Sequence, residues 1–453
     1  MSDVPPNPSN KPPCSREDAL AVLGRLRQAG QVAYFAGGCV RDLLLGLEPK
    51  DWDVATDAPP QRVRALFSNT QAVGAAFGVI LVRHSKSVVE VATFRTEGAY
   101  SDGRRPDAVA FTDAEHDARR RDFTINGLFL DPEKREAGSD KREEVATPDG
   151  VVIDYVGGVE DLKNRILRAI GQAQQRFSED HLRLLRAVRF AARFAMAVEE
   201  ETARAIRVNA PRLRGISPER IADELRMMLA PATRAVAWPM LWSYALIDVI
   251  FRFLPSSEGV EFDARRSLFL RVAPGRAISF GLALAAGVLD YRMQGDHAAD
   301  PIAFVTRKEI HAAARAMREA LRISNEELDE MVGALEPLEH LLGPAEPALA
   351  IKKRFLARPT AGASRELIRA IASLGLHGER AGRLEAEFDE LAKGEVAPAP
   401  LITGDDLLAM GMKPGPAFRR VLEAVYDAQL EGRVGTRAEA LAMAKTMIEN
   451  MKT

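Results

Sequence analysis

Two glycines and two aspartates near the amino terminus have the residue types and the spacing that phosphate and metal chemistry need. Gly37 and Gly38 follow a short apolar run, Val32–Ala36, which predicts a strand that ends in a glycine turn before a helix. Such a turn exposes backbone N–H groups at the positive end of the helix dipole, where a phosphate can bind. The alternative is a glycine turn that only reverses the chain.

Asp51 and Asp53 are two residues apart in a segment that favours a strand, so their carboxylates are expected to face the same side. Two neighbouring carboxylates can hold Mg²⁺, which assists phosphoryl transfer. The alternative is a solvated Asp-x-Asp turn. Glu90, in a later predicted strand (Val88–Arg95), is a candidate third carboxylate, although a lone strand glutamate is more often a solvent-facing residue.

Asp180 and Arg183 form a second pair with possible chemistry, on a helix that the periodicity predicts from Phe177 to Phe190 with Ser178 as its cap. A carboxylate accepts and a guanidinium donates, so the pair can read an amino group beside a ring nitrogen. Cytosine and adenine both present that edge, whereas uracil and guanine do not. Without a ligand, the two residues would be a surface pair of little energetic value.

Arginines concentrate in two further places, at Arg119–Arg121 before Asp122 and again between Lys352 and Arg369. Both stretches could contact phosphates, and both could equally be solvated helix faces. The net charge of −2 gives no global attraction for nucleic acid, so any RNA contact must come from such local patches.

Length and composition predict a folded protein of two to four domains, since the chain has 453 residues of which 47% are hydrophobic. Its two cysteines exclude a disulfide framework and a cysteine-rich zinc site. No apolar run is long enough to cross a membrane and no signal layout precedes the first helix, so a cytoplasmic location is expected. Residues 132–148 are charged and are predicted to be an exposed, structureless insertion.

Strand signals stop near residue 174 and helical periodicity follows, so the fold class is predicted to be α+β, a small mixed sheet followed by all-α segments. The predicted divisions are a disordered tail (1–15), a catalytic head (16–165), a helical neck for base recognition (166–235), a helical RNA-binding body (236–398) and a helical tail (399–453).

Four motifs occur in one order along this chain: Gly-Gly-x-Val-Arg-Asp at 37–42, Asp-x-Asp at 51–53, Arg-Arg-Asp at 120–122 and Glu-Asp-x-x-Arg at 179–183. Together they resemble the signature of class II tRNA nucleotidyltransferases and bacterial poly(A) polymerases, most of all the CCA-adding enzymes. The resemblance implies a polymerase-β-like nucleotidyltransferase head and a reaction that adds CCA to tRNA 3′ ends from CTP and ATP.

The same resemblance implies the residue roles. Asp51 and Asp53 would be catalytic and would hold Mg²⁺, while Gly37, Gly38 and Arg41 would steady the triphosphate. Nucleotide binding would also use the following residues: Arg121 and Asp122 for ribose and triphosphate, and Asp180 and Arg183 for the base. Residues 97–107 match the family's flexible loop. Glu219 and Arg220 match a structural motif and are expected to brace the site.

Three other functions remain open from the sequence: an enzyme that adds only A, a bacterial poly(A) polymerase, and a non-catalytic RNA-binding relative. The poly(A) polymerases tend to carry arginines where this chain has the apolar stretch 75–82. The sequence does not indicate an oligomeric state.

Overall fold

The structure, a computed structural model, describes residues 14–74, 78–98, 108–137, 143–251, 254, 260–295 and 300–451. These residues divide into two compact units. The first runs up to Met228 and includes Val236–Val249, and the second comprises Leu229–Ala235 and the chain from Ile250 onward. The finer division into head, neck, body and tail stays a prediction.

The part of the chain up to residue 250 contains every strand that the structure describes. Its helices are α1 (Arg16–Gln28), α2 (Gly38–Leu44), α3 (Pro60–Leu66), α4 (Ala114–Arg119), α5 (Gly158–Lys163), α6 (Ala173–Glu179), α7 (Arg183–Phe194), α8 (Glu200–Asn209), α9 (Pro218–Met228), α10 (Arg234–Ser243) and α11 (Ile247–Ile250). Its strands are β1 (Ala33–Ala36), β2 (Val54–Thr56), β3 (Thr70–Gly74), β4 (Val79–His84), β5 (Ser87–Thr93), β6 (Arg95–Glu97), β7 (Val109–Phe111), β8 (Leu128–Asp131), β9 (Glu143–Thr147), β10 (Gly150–Asp154), β11 (Ile166–Leu167) and β12 (Ala197–Val198).

Eight of these strands form one mixed sheet in the order β3-β4-β5-β2-β1-β8-β10-β9. β2 and β5 run parallel and the other neighbours run antiparallel. Apolar side chains from β1, β2, β8 and β10 pack with α4 on one face, around Phe94 and Phe129, whose rings meet edge to face at 5.7 Å. The predicted fold class is therefore confirmed.

The described residues after 250 form helices joined by loops and short turns, without a strand. These helices are α12 (Phe280–Gly295), α13 (Arg307–Leu321), α14 (Asn325–Leu342), α15 (Leu349–Leu356), α16 (Ala361–Ser373), α17 (Gly378–Leu391), α18 (Gly404–Ala409), α19 (Pro416–Leu430) and α20 (Arg437–Asn450). A capping box formed by Thr436 and Glu439 begins α20. No helix among the described residues is long and apolar enough to span a membrane. The cytoplasmic location stays a prediction.

The basic stretch of the second unit has its charges paired within the protein. Each of its six cations has a carboxylate or carbonyl partner at 2.6 to 3.5 Å; the six are Lys352, Lys353, Arg354, Arg358, Arg365 and Arg369. Lys352 is buried between Glu346 and Glu387. Three of these residues, Lys353, Arg354 and Arg365, bond to α17 or α19. This pairing favours a role in joining helices over the predicted contact with an RNA backbone.

Three local predictions from the sequence were wrong. Residues 132–148 are not wholly structureless, because Glu143–Thr147 form β9, which pairs with β10 at the sheet edge. The helix predicted from Phe177 to Phe190 is broken at residues 180–182, where α6 ends and α7 has not begun. Ser178 lies inside α6, and its hydroxyl donates to the Gln175 carbonyl at 2.7 Å, so it is not a cap.

Candidate active site

The two glycines lie where β1 ends and α2 begins, as predicted. Gly37 has φ +70°, a conformation that favours glycine, and its N–H donates to the Leu128 carbonyl of β8 at 3.0 Å. A Cβ on Gly37 would lie 2.8 Å from Nη1 of Arg121. The structure therefore brings Arg121 directly against the glycine turn, although the two residues are 84 positions apart.

The aspartates lie at the same end of the sheet as the glycine turn. β1 and β2 are antiparallel with Phe35 opposite Val54, so the residues after β1 lie beside the residues before β2. The sequence placed both aspartates in the strand, whereas β2 begins only at Val54. The pairing nevertheless extends one residue further, because the Asp53 carbonyl accepts the N–H of Ala36 at 3.0 Å.

Trp52, between the two aspartates, is held in the core. It is 5% exposed and packs edge to face on Phe35, with ring centroids 4.9 Å apart. Asp51 is exposed and Asp53 is half-buried. Glu90 precedes Val91, which pairs in parallel register with Val54, and this places Glu90 next to Asp53 along the sheet.

For a metal ion, the described residues provide the carboxylates of Asp51 and Asp53 but no larger cluster of ligands. Within these residues, no group of three or more histidine, cysteine, aspartate or glutamate side chains has the geometry of a metal site. Mg²⁺ is commonly bound by one or two carboxylates together with substrate phosphates, because it keeps several other ligands as water. Asp51 and Asp53, beside a turn suited to phosphate, fit that ion.

Arg41, in α2, is buried, and its guanidinium lies close to the glycine turn. Its guanidinium donates twice to Oδ1 of Asp42, at 2.9 and 2.7 Å, and once to Oδ1 of Asn126, at 2.6 Å. It also lies 4.4 Å from the ring centroid of Phe194. These contacts make it a support for the turn, and its predicted contact with a triphosphate stays a prediction.

The arginine run is held by an acidic residue that sequence analysis did not single out. Asp117 is buried, and its two carboxylate oxygens bind Arg120 at 2.6 Å and Arg121 at 2.9 Å. Burial alone would raise the pKa of Asp117, but the charges of the two arginines outweigh it and lower that pKa. Two of the three arginines are therefore ordered residues, and the interpretation as a wholly solvated helix face is wrong.

Asp122 is the centre of a hydrogen-bond network that joins two of the motifs to α7. Its Oδ2 accepts two bonds from Arg186 of α7, at 2.8 and 2.6 Å, and its Oδ1 accepts from Asn126 at 3.0 Å. Because Asn126 also accepts from Arg41, the network runs from the glycine turn to the helical segment that follows the sheet. Sequence reasoning missed Asn126 and Arg186, since only the fold brings them beside Asp122.

The charged stripe of α7 is paired in the same way along its length. Four arginines lie three or four positions apart, and each binds a carboxylate from a different segment: Arg183 with Glu179, Arg186 with Asp122, Arg189 with Glu224 and Arg193 with Asp42, at 2.6, 2.6, 2.7 and 3.5 Å. Three of the four guanidinium groups also lie over aromatic rings of α7: those of Arg186 and Arg189 over Phe190, and that of Arg193 over Phe194.

Asp180 lies in the break between α6 and α7, and Arg183 is the first residue of α7. Oδ1 of Asp180 accepts the N–H of Leu182 at 3.0 Å, and its Oδ2 accepts Nη2 of Arg220 at 3.2 Å. Arg183 is buried and donates to Glu179 and to the Arg176 carbonyl. The bracing role predicted for Arg220 agrees with this contact. Whether Asp180 and Arg183 read a base stays a prediction.

The fold and the site together define a nucleotidyltransferase of the poly(A) polymerase type. Residues 33–168 match the family model described as the poly(A) polymerase head domain. Residues 195–257 match a second model, described as the probable RNA and SrmB-binding site of polymerase A. Both models fall on the segments that carry the predicted motifs or directly follow them.

Similarity to individual proteins extends over almost the whole chain. The CCA-adding enzyme of Geobacillus stearothermophilus is 33% identical over 436 residues, which cover 95% of this chain and 96% of that protein. The CCA-adding enzyme of Streptococcus uberis is 39% identical over 250 residues, 55% of this chain and 57% of that protein. The crystal structure of the Bacillus stearothermophilus CCA-adding enzyme in complex with CTP matches with a TM-score of 0.67 at 28% identity, covering 96% of this chain and 98% of that one.

The chain therefore belongs to the CCA-adding enzyme family, and it is a nucleotidyltransferase. This confirms the resemblance stated from the motifs. A structure of the Thermotoga maritima CCA-adding enzyme complexed with tRNA shares the fold, with a TM-score of 0.58 at 18% identity.

Proposed function

We propose that this protein adds C, C and A to the 3′ end of tRNA, taking the nucleotides from CTP and ATP and releasing pyrophosphate. One observation carries the proposal. Arg121 lies against the glycine turn, and the segment that carries Asp51 and Asp53 leads into β2 at the same end of the mixed sheet. That end offers N–H donors and positive charge to a triphosphate, with oxygen ligands beside it.

The residues of the chain would divide the work as follows. The first N–H groups of α2 have no partner within their helix and would bind phosphate oxygens. Arg121 would neutralise charge on the triphosphate, and Asp122 would orient the ribose from its fixed position. Asp51 and Asp53 would hold Mg²⁺, which supplies activation of the RNA 3′-hydroxyl and charge neutralisation at the α-phosphate. Glu90 is the candidate additional carboxylate.

Base selection is assigned to Asp180 and Arg183. The carboxylate would accept the amino group of cytosine or adenine while the guanidinium donates to the neighbouring ring nitrogen. Uracil and guanine would face each group with the wrong partner, and a buried polar group left unpaired costs about 1–3 kcal/mol. Selection by protein side chains in this way requires no nucleic-acid template.

The test is nucleotide addition to three tRNA transcripts that end before CCA, after C and after CC, with Mg²⁺ and with CTP and ATP supplied singly and together. With CTP and ATP both present, the proposal expects every transcript to be completed to CCA and addition then to stop. Addition of A alone to the CC-ending transcript would identify an A-adding enzyme, and a long A ladder a poly(A) polymerase. No addition to any transcript would overturn the assignment as an active enzyme.

A matched pair of variants tests the aspartates. Asp51→Ala together with Asp53→Ala should abolish Mg²⁺-dependent addition. Asp149→Asn is the control, since Asp149 is a half-buried residue whose ion pair with Arg16, at 3.1 Å, lies outside the predicted site. Addition that survives loss of both aspartates would refute their proposed role.

A further inference from the structure

Asp180 is held from two sides, and one of its partners lies on a different helix. Its Oδ1 accepts the backbone N–H of Leu182, in the segment between α6 and α7. Its Oδ2 accepts from Arg220 of α9 at 3.2 Å. The side chains are 18% and 27% exposed, so this pair is mostly shielded from solvent. A carboxylate fixed by a backbone N–H and a guanidinium has little freedom to rotate.

Two residues next to Asp180, its ion-pair partner Arg220 and its neighbour in sequence His181, carry buried polar atoms without a partner among the described residues. Nη1 of Arg220 is buried, and within the described part of the chain it donates to nothing. Both ring nitrogens of His181, the residue after Asp180, are likewise buried without a partner. Burial is the main cause that lowers the pKa of His181, and the positive charge of Arg212 is the second. The ring is therefore neutral at pH 7 and offers one donor and one acceptor.

Buried groups of this kind are rare in native proteins, because each costs free energy unless another molecule satisfies it. An ion pair that only braces two segments would not need a second, buried guanidinium nitrogen that donates to no group among the described residues. The arrangement instead resembles a polar site in which the protein's own bonds fix one edge and leave the other edge for a ligand.

We propose that Arg220 is a specificity-determining residue, which positions Asp180 so that its carboxylate accepts the amino group of cytosine or adenine and rejects uracil and guanine. This inference rests on the proposed function, since it gives Asp180 its base-reading role. Arg220 is a positioning residue, because it acts through Asp180. Its Nη1 group and the ring of His181 are satisfied by polar groups that enter with the nucleotide.

The physical consequence concerns discrimination rather than overall rate. Without Arg220, the carboxylate can rotate and bind water, so the correct bases lose a fixed acceptor. The wrong bases meet a group that can turn away from their carbonyl oxygens, and their penalty therefore falls. Loss of one positioned hydrogen-bond acceptor is expected to reduce discrimination about 10- to 100-fold.

The experiment measures kcat/KM for CTP, ATP, UTP and GTP on the three tRNA transcripts. The proteins compared are the wild type, Arg220→Gln, Arg220→Lys and Arg204→Gln. Arg204 is the control because it makes an exposed pair with Glu200 on α8, at 3.0 Å. We expect Arg220→Gln to lower the CTP-to-UTP and ATP-to-GTP ratios about 10- to 100-fold, Arg220→Lys to restore part of each ratio, and the control to leave them unchanged.

A structural role predicts a different result, namely equal losses for all four nucleotides and unchanged ratios, and that outcome would overturn the proposal. A second measurement applies if Arg220→Gln folds poorly. In an Asp180→Asn background, the lysine substitution should change the ratios no further, because Arg220 then has no carboxylate to position. An additional loss in that background would refute action through Asp180.

The same assay separates this inference from the proposed function. Wild-type protein that completes CCA but shows unaltered ratios in Arg220→Gln keeps the function and loses the inference. If the wild type adds no nucleotide, calorimetric binding of CTP and UTP to the wild type and Arg220→Lys still tests it. Equal affinities of the wild type for the two nucleotides would then refute selection at this site.

Discussion

Asp122→Asn tests the network that joins the glycine turn to α7. The substitution keeps the size of the side chain and an oxygen that can accept from the Phe123 N–H, now at 2.9 Å. It also places an amide N–H₂ or a weaker acceptor opposite the two N–H groups of Arg186, which now lie 2.8 and 2.6 Å from Oδ2. We therefore expect lower stability and weaker nucleotide binding.

The magnitude follows from the contacts of Asp122. Burial would raise the pKa of Asp122, but the charge of Arg186 and the bond from Asn126 outweigh it and hold that pKa well below its usual range. Two charge-assisted hydrogen bonds, each about 1.5–3 kcal/mol, are lost or weakened. Because the Arg186 side chain is 33% exposed and can turn to water, we expect a net loss of about 2–4 kcal/mol.

Urea unfolding at pH 7, followed by circular dichroism, measures this loss, with Asp149→Asn as a control expected to change stability by less than about 1 kcal/mol. A double-mutant cycle with Arg186→Met isolates the pair, and its coupling energy should be at least about 1.5 kcal/mol. A loss no larger than that of the control, or a cycle without coupling, would refute the reasoning.

Three further predictions concern other parts of the first unit. Gly37→Ala should cost about 1–2 kcal/mol in urea unfolding, because φ +70° disfavours alanine and the new Cβ would displace Arg121, whereas Gly24→Ala on open helix surface should be neutral or stabilising. The lowered pKa of Asp117 contributes stability that is present above about pH 4 and is lost as the pH falls below it, so the urea midpoint should fall on acidification and the slope against pH should be shallower in Asp117→Asn. Burial raises the pKa of Cys39 to about 12, so iodoacetamide should label this thiol, read by mass spectrometry, only after unfolding; rapid native labelling would contradict its burial.

The local elements that carry the glycine turn could be predicted because short-range rules determine them. Ser15, a residue type that favours this position, caps α1, with its hydroxyl accepting the Asp18 N–H at 3.1 Å. The apolar run before Gly37 is β1, and the strand predicted at Val88–Arg95 overlaps β5. The motif order also predicted the family, which the comparisons confirm.

Non-local contacts explain what sequence reasoning missed. The helical periodicity is the same before and after residues 180–182, so the break there depends on bonds to Leu182 and to Arg220 on another helix. The charge of residues 143 and 144 suggested a loop, but β9 forms there, and the Glu144 carboxylate is buried and paired with Lys134 at 2.6 Å. The predicted loop at 97–107 lies mostly outside the described residues, although its ends pair as β6 and β7.

The paired arginines of α7 have a consequence for exchanging segments between relatives. Each guanidinium of that stripe is neutralised by a carboxylate that belongs to a separate stretch of the chain. A chimera that takes one stretch from a distant homologue would leave an arginine of α7 without a carboxylate partner wherever the homologue lacks that carboxylate. Segments in this part of the protein should therefore be transplanted, or drift over evolution, as compensated sets rather than one at a time.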